Sequence, residues 1–183
     1  FQKLFSQYEI EVFDVEKVWV HGGSIRVYLQ HNNGPRKISN QVSELIKEES
    51  ELGLYDRASW NTFSERILLH KTALKNEISK LREKEKKVSV YGASGKGQSL
   101  LQFCELDHNL LDYVVDKSKL KQGKFTPGTH IPIYSNDHIY KELPDIILLC
   151  AWNFSDEIIK QEEHFVELGG RFLHPLPMPH YLT

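Results

Sequence analysis

The rhythm of hydrophobic and polar positions changes along the chain. Phe1, Leu4, Phe5 and Tyr8 recur at helical spacing and predict the last turns of a helix. Ile10 to Val20 is rich in β-branched and aromatic residues and reads as a strand, although Val12, Asp14 and Glu16 break its alternation. Gly22-Gly23 signals a turn, and Ser24 to His31 reads as a second strand, so the two predict an antiparallel pair that ends at Asn32-Asn33-Gly34-Pro35. Over residues 40 to 52, Val42, Leu45, Ile46 and Leu52 give an amphipathic helix. From Arg57 to Lys86, Trp60, Ile67, Leu74 and Leu81 recur every seven residues, with Phe63 and Ile78 beside them. That pattern predicts a long helix packed along a domain rather than a coiled coil, because His70 and Glu77 spoil the second apolar position. Its basic end, REKEKK, reads as a solvated terminus whose lysines complement the helix dipole.

From Lys87 onward, short apolar runs alternate with helical stretches. VSVYG, LLDYVVD, IPIYS, PDIILLCAW and RFLHPL read as five strands. QSLLQFCEL, SNDHIYKEL and FSDEIIKQEEHFVELGG read as helices, and the polar loop KSKLKQGKFTPGTH joins the second strand to the third. The alternation predicts an α/β fold: a Rossmann-like parallel sheet with flanking helices, preceded by an antiparallel strand pair and a helical linker.

Length and composition narrow the classes. A chain of 183 residues with 40% hydrophobic residues and a net charge of −2 makes one domain, or one domain plus a piece of another. Disorder as the main state is excluded. No apolar run approaches the roughly 20 residues that span a bilayer, so no membrane partner is expected. The small net charge removes bulk attraction to nucleic acid. Cys104 and Cys150 sit in apolar stretches and read as buried free thiols, which excludes a disulfide scaffold and a cysteine-rich zinc site. The chain opens on Phe1 without the marks of a signal peptide, which suggests a piece of a longer cytoplasmic protein.

Four segments carry candidate chemistry. Tyr91-Gly92-Ala93-Ser94-Gly95-Lys96-Gly97 follows a strand and opens a helix, where free N–H groups favour an anion. Asp116 ends the next strand, the place of a ribose-binding acid in dinucleotide folds. The glycine spacing is neither GxGxxG nor a phosphate loop, so an anion or nucleotide site and a plain tight turn both stand. The loop from Lys117 to Thr129 holds four lysines that could neutralise a diphosphate, or could simply be solvated. Trp152 could stack on a base or sugar and Asn153 could hydrogen-bond it, while a core Trp and a helix cap fit equally. Arg26, in the hairpin beside His21, could pair with a phosphate or form part of a surface turn. The histidines show no metal-ligand spacing, and no nucleophile-base arrangement is visible.

At these residues the chain resembles a known family. FDVEKVWVHGGSIRVYL, YGASGKGQSLL, VVDKSKLKQGKFTPGTHIPIYS, DIILLCAWNFSDEI and GGRFLHPLP, in this order, resemble the C-terminal part of the S-adenosylmethionine-dependent C-methyltransferases that act on nucleotide-linked keto-deoxysugars. The resemblance runs from about Glu11 to Pro177. It departs mildly at Gln98 and Ser99, where Asn and Thr are expected. It implies a parent in which an N-terminal cysteine motif binds zinc and a middle domain binds S-adenosylmethionine. A base would remove a proton beside the sugar ketone, and the enolate would take the sulfonium methyl group. Residues 1–38 would then end the methyltransferase domain, 39–86 would be helical linker, and 87–183 a Rossmann-like C-terminal domain. The base motif and the methyl-donor loop would precede Phe1, so this chain would supply no catalytic residue and would be inactive alone. The motif positions Ser94, Lys96, Gly97, Lys124, Thr126, Thr129, Trp152 and Asn153 would face the nucleotide-diphosphate sugar, and His21 and Arg26 the cleft toward the methyltransferase domain. A binding module without chemistry and a bracing scaffold are the competing readings. A nicotinamide oxidoreductase is disfavoured by the glycine spacing.

Overall fold

The computed structural model describes residues 1–182 and divides into two compact units, Phe1–Ser64 and Glu65 onward. In the first unit, a short helix α1 (Gln2–Phe5) leads into strands β1 (Ile10–Val18) and β2 (Ser24–His31), which pair antiparallel. The broken alternation in β1 has a structural cause. The register shifts between Val12 and Asp14, a bulge that lets Val12 and Val15 both turn inward. They pack on Val42 of helix α2 (Asn40–Glu51), whose first turn is capped by the Ser39 hydroxyl accepting from the Gln41 N–H at 3.2 Å. Ile46 and Leu52, read as apolar-face residues, are exposed.

Helix α3 (Arg57–Glu83) begins in the first unit and continues into the second. Its buried side chains are His70, Leu74, Ile78 and Leu81, while Trp60 and Phe63 remain about half exposed. His70, expected to spoil the apolar seam, is part of it. Burial is tolerated because its Nε2 is hydrogen-bonded to the Pro175 carbonyl at 2.7 Å.

The second unit is built on a six-stranded sheet. Its strands are β3 (Val88–Tyr91), β4 (Val114–Val115), β5 (Ile133–Tyr134), β6 (Ile146–Leu149), β7 (Arg171–His174) and β8 (His180–Leu182), in the order β5-β4-β3-β6-β7-β8. The first five run parallel, as expected, and the sixth, antiparallel to β7, was not anticipated. The central strands are buried on both faces, which is why they read as unbroken apolar runs. On one face Val88, Val90, Ile146 and Leu148 pack against α3 and helix α4 (Gly95–Phe103). On the other, Tyr91, Ile147, Leu149 and Phe172 pack against helices α5 (Ile139–Glu142), α6 (Ser155–Gln161) and α7 (Glu163–Glu167).

The last helical stretch is not the single helix its pattern predicts. It breaks at Glu162, where the backbone leaves helical geometry (φ −106, ψ 30) and the side chain turns into the interior. There the carboxylate accepts from Tyr91 Oη at 3.1 Å and Tyr140 Oη at 2.8 Å, and Asn136 Nδ2 donates to the Tyr91 oxygen. Two hydroxyls from distant segments thus fix the buried carboxylate where the helix breaks. Both buried thiols, Cys104 and Cys150, are free, as expected.

Candidate functional site at the carboxyl edge of the sheet

Chain order reverses between β3 and β6, so the sheet has a switch point there, and ligands of open α/β sheets settle in the crevice beyond the carboxyl ends of such strands. Two loops border it: the turn from Tyr91 into α4, and the turn from Leu149 into a short 3-10 turn, Trp152–Phe154. They are pressed together, with the Cys150 and Ala151 N–H groups donating to the Tyr91 carbonyl at 3.0 and 3.2 Å. Glycines make this possible. A Cβ on Gly92, whose φ is +99, would lie 2.8 Å from the Ala151 Cβ, and one on Gly97 would lie 2.7 Å from the Cys150 Cβ. The glycine signal of the sequence is therefore first a packing requirement of α4 against β6.

Ser94 caps α4: its hydroxyl accepts from the Gly97 N–H at 3.1 Å. Lys96 is exposed, Gly97 is buried, Trp152 is half-buried and Asn153 is exposed. Gln98 and Ser99 follow on the same helix. The Ser99 hydroxyl donates back to the Gly95 carbonyl at 3.1 Å, whereas the Gln98 amide is buried with neither atom partnered.

Asp116 is spent on holding this edge together. Its Oδ2 accepts from the Ala93 N–H at 2.8 Å and from Lys121 Nζ at 3.0 Å, and its Oδ1 from the Ser118 N–H at 2.8 Å. Burial by itself would raise this carboxyl. The Ser118 N–H, the Lys121 ammonium and the Ala93 N–H overcome it and hold the pKa below the usual value. Lys117 also turns toward protein, donating to Gln161 Oε1 at 2.6 Å. Two of the four loop lysines thus brace the loop.

The remaining motif positions lie elsewhere. Residues 123–126 run back alongside 131–133, with Gly123 N donating to the Ile133 carbonyl at 2.9 Å and Thr126 N to the Ile131 carbonyl at 2.9 Å. Thr126 and Thr129 close the tip of this hairpin. Their hydroxyls bond each other at 2.6 Å, and Thr126 Oγ1 also accepts from the Ile131 N–H. The tip sits by Gln102, toward the end of α4, at the amino end of the sheet. The structure does not bring these two threonines to the edge that holds Ser94, because the loop was long enough to fold back on itself. Lys124 is exposed on the hairpin arm between the two ends. His21, at φ 57, and Arg26, paired with Glu16 at 2.9 Å, belong to the first unit.

The order of these segments is that of a described family. The C-methyltransferase C-terminal domain matches residues 19–177, nearly the whole chain and every strand but β1 and β8. The chain belongs to this family. A curated relative, the C-methyltransferase NovU of Streptomyces niveus, is 35% identical over 180 residues, which is 98% of this chain and 43% of that protein. The chain thus spans less than half the length of the relative it matches.

Family membership raises the question of whether this C-methyltransferase C-terminal domain could itself hold S-adenosylmethionine at its edge. The residues do not fit. The acid that would take a ribose diol is Asp116, and both of its oxygens are already bonded to the protein. Among the described residues no group of three or more His, Cys, Asp or Glu side chains could hold a metal ion, and no helix is long and apolar enough to cross a membrane.

Proposed function

We propose that this chain is the substrate-positioning part of an S-adenosylmethionine-dependent C-methyltransferase of the cytoplasm that acts on a nucleotide-linked keto-deoxysugar. The observation that carries the reading is the switch point between β3 and β6, bordered by the capped N-terminus of α4 and by Trp152 and Asn153. In this reading the start of α4 and Lys96 serve the diphosphate, and the Trp152 ring offers a stacking surface for the base or sugar. Binding energy from the remote nucleotide is spent on orienting the sugar. Proton removal and methyl donation belong to a preceding domain, so the chain by itself transfers no methyl group. Zinc belongs to that missing part as well.

Residues 1–38 are read as the end of that methyltransferase domain, 39–86 as helical linker and 87–183 as the Rossmann-like domain. What supports the first assignment is how little the hairpin buries. A two-stranded sheet is marginal alone, and Trp19, Ile25 and Leu29 are exposed around a core of Val12, Val15 and Val42.

The test is an NMR titration of the chain with a thymidine diphosphate-sugar, S-adenosylmethionine and NAD in parallel. Shifts confined to residues around Ser94, Lys96 and Trp152, saturating at or below about 1 mM (roughly −4 kcal/mol) for the nucleotide-sugar alone, are expected. Binding of NAD instead overturns the reading in favour of an oxidoreductase. Absence of any shift, together with unchanged sugar affinity of the full-length enzyme after Trp152→Ala, leaves only a scaffold.

A further inference from the structure

At the opposite end of the strands lies a cavity of about 430 Å³, which no part of the proposed reaction uses. It is lined by Glu77 and Lys80 of α3, by Lys84 just past its end, by Lys86 and Asp145 just before β3 and β6, and by Arg171 of β7 and Tyr181 of β8. Both acids are occupied. Glu77 Oε1 accepts from Tyr181 Oη at 2.5 Å, and Asp145 takes Lys86 Nζ and the Lys87 N–H, each at 2.8 Å. The other cations are not. Among the described residues, Lys80, Lys84 and Arg171 have no carboxylate within ion-pair distance, although two carboxylates line the same cavity.

Arg171 is the informative member. Its guanidinium lies over the Tyr181 ring, 4.3 Å from the centroid, and the Tyr181 hydroxyl is in turn fixed by Glu77. Stacking holds the plane of the fork while leaving its N–H donors unused. Lys80 stands in the last turn of α3 and Lys84 in the turn just past its end, so both cations lie at the negative end of the helix. Lysines at a helix end complement the dipole, which would account for these two taken alone. It does not account for a pre-oriented arginine arriving from a strand at the same cavity.

We propose that this cavity binds a phosphoryl group, with Arg171 as the planar fork and Lys80 and Lys84 as the neutralising charges. A dianionic phosphate matches three unpaired cations, and the volume is in the range of cavities that take small molecules. The bound species is inorganic phosphate or a phosphorylated metabolite, and it occupies a place separate from the carboxyl edge.

The experiment is calorimetric titration of the full-length protein carrying this chain, at low salt, with inorganic phosphate, adenosine 5′-monophosphate and adenosine. Saturable binding of the two phosphates that depends on Arg171, Lys80 and Lys84 is expected, whereas any binding of adenosine should be indifferent to those residues. Equal affinities would identify the phosphoryl group alone as the ligand, and tighter binding of the monophosphate would identify a phosphorylated metabolite. Arg171→Gln and the double variant Lys80→Gln/Lys84→Gln should each weaken binding at least tenfold, whereas Lys121→Gln at the other edge should not. All three cations are exposed, so the variants keep the fold, which far-ultraviolet circular dichroism checks. Absence of saturable phosphate binding, or binding indifferent to both variants, overturns the proposal.

Discussion

Gly97 shows how one position can carry a signal that looks like ligand chemistry and is in the first place packing. Its missing side chain lets α4 approach β6 so closely that a Cβ would lie 2.7 Å from that of Cys150. Gly97→Ala is expected to cost about 1–3 kcal/mol, because helix and strand must separate in a filled core. A denaturant-midpoint shift with unchanged slope checks it, and wild-type stability would refute the account. Ser94 and Asp116 are tied into the same turn by hydrogen bonds that a reader of the sequence could place but not pair. Asp116 was legible as an acid at a strand end. That its oxygens are consumed by Ala93, Ser118 and Lys121 depends on how a loop five residues downstream closes.

At the scale of elements, α3 separates pattern from burial. Its heptad repeat was legible, yet the buried stripe is confined to the second half and includes His70. Ile78 is fully buried between α3 and the sheet, while Leu69 is 63% exposed. Ile78→Ala is expected to lower stability by about 3 kcal/mol and Leu69→Ala by less than about 0.5 kcal/mol. Equal effects in a chemical-denaturation series would mean that the apolar repeat, rather than contact with the sheet, sets the helix's contribution. The break at Glu162 is the complementary case. A continuous helical pattern yields where a carboxylate is drawn inward by Tyr91 and Tyr140, groups 71 and 22 residues away.

For the whole molecule, titrating groups bound the pH range of stability. Asp145, bonded by Lys86, and Asp116 both lie below the ordinary carboxylate value of 3.8. Folded, they bind fewer protons than unfolded, so their contribution is present above that value and is lost as pH falls below it. Burial raises the Cys104 thiol to about 11 and the Tyr113 and Tyr181 hydroxyls to about 12, above 9.0 and 10.0 when unfolded. Their contribution is complete below pH 9 and is lost as pH rises through 11 to 12. Denaturant midpoints measured from pH 3 to 11 should therefore show a plateau falling at both ends. A midpoint that rises between pH 9 and 11 would contradict this.

What the sequence by itself determined is the local order: five of the six strands of the sheet, the antiparallel hairpin, a helix following the Tyr91–Gly97 turn, the buried thiols, and the motif order of the C-methyltransferase C-terminal domain. These follow from side-chain periodicity, caps and turns, whose energetics act over a few residues. Only the tertiary structure decided that β8 adds an antiparallel edge, and that the lysine loop folds back to carry Thr126 and Thr129 away from Ser94. It also decided that Arg171, Lys80 and Lys84 meet at one cavity. Each of these depends on pairing between segments far apart in the chain, and a loop's composition does not say which partner it will find.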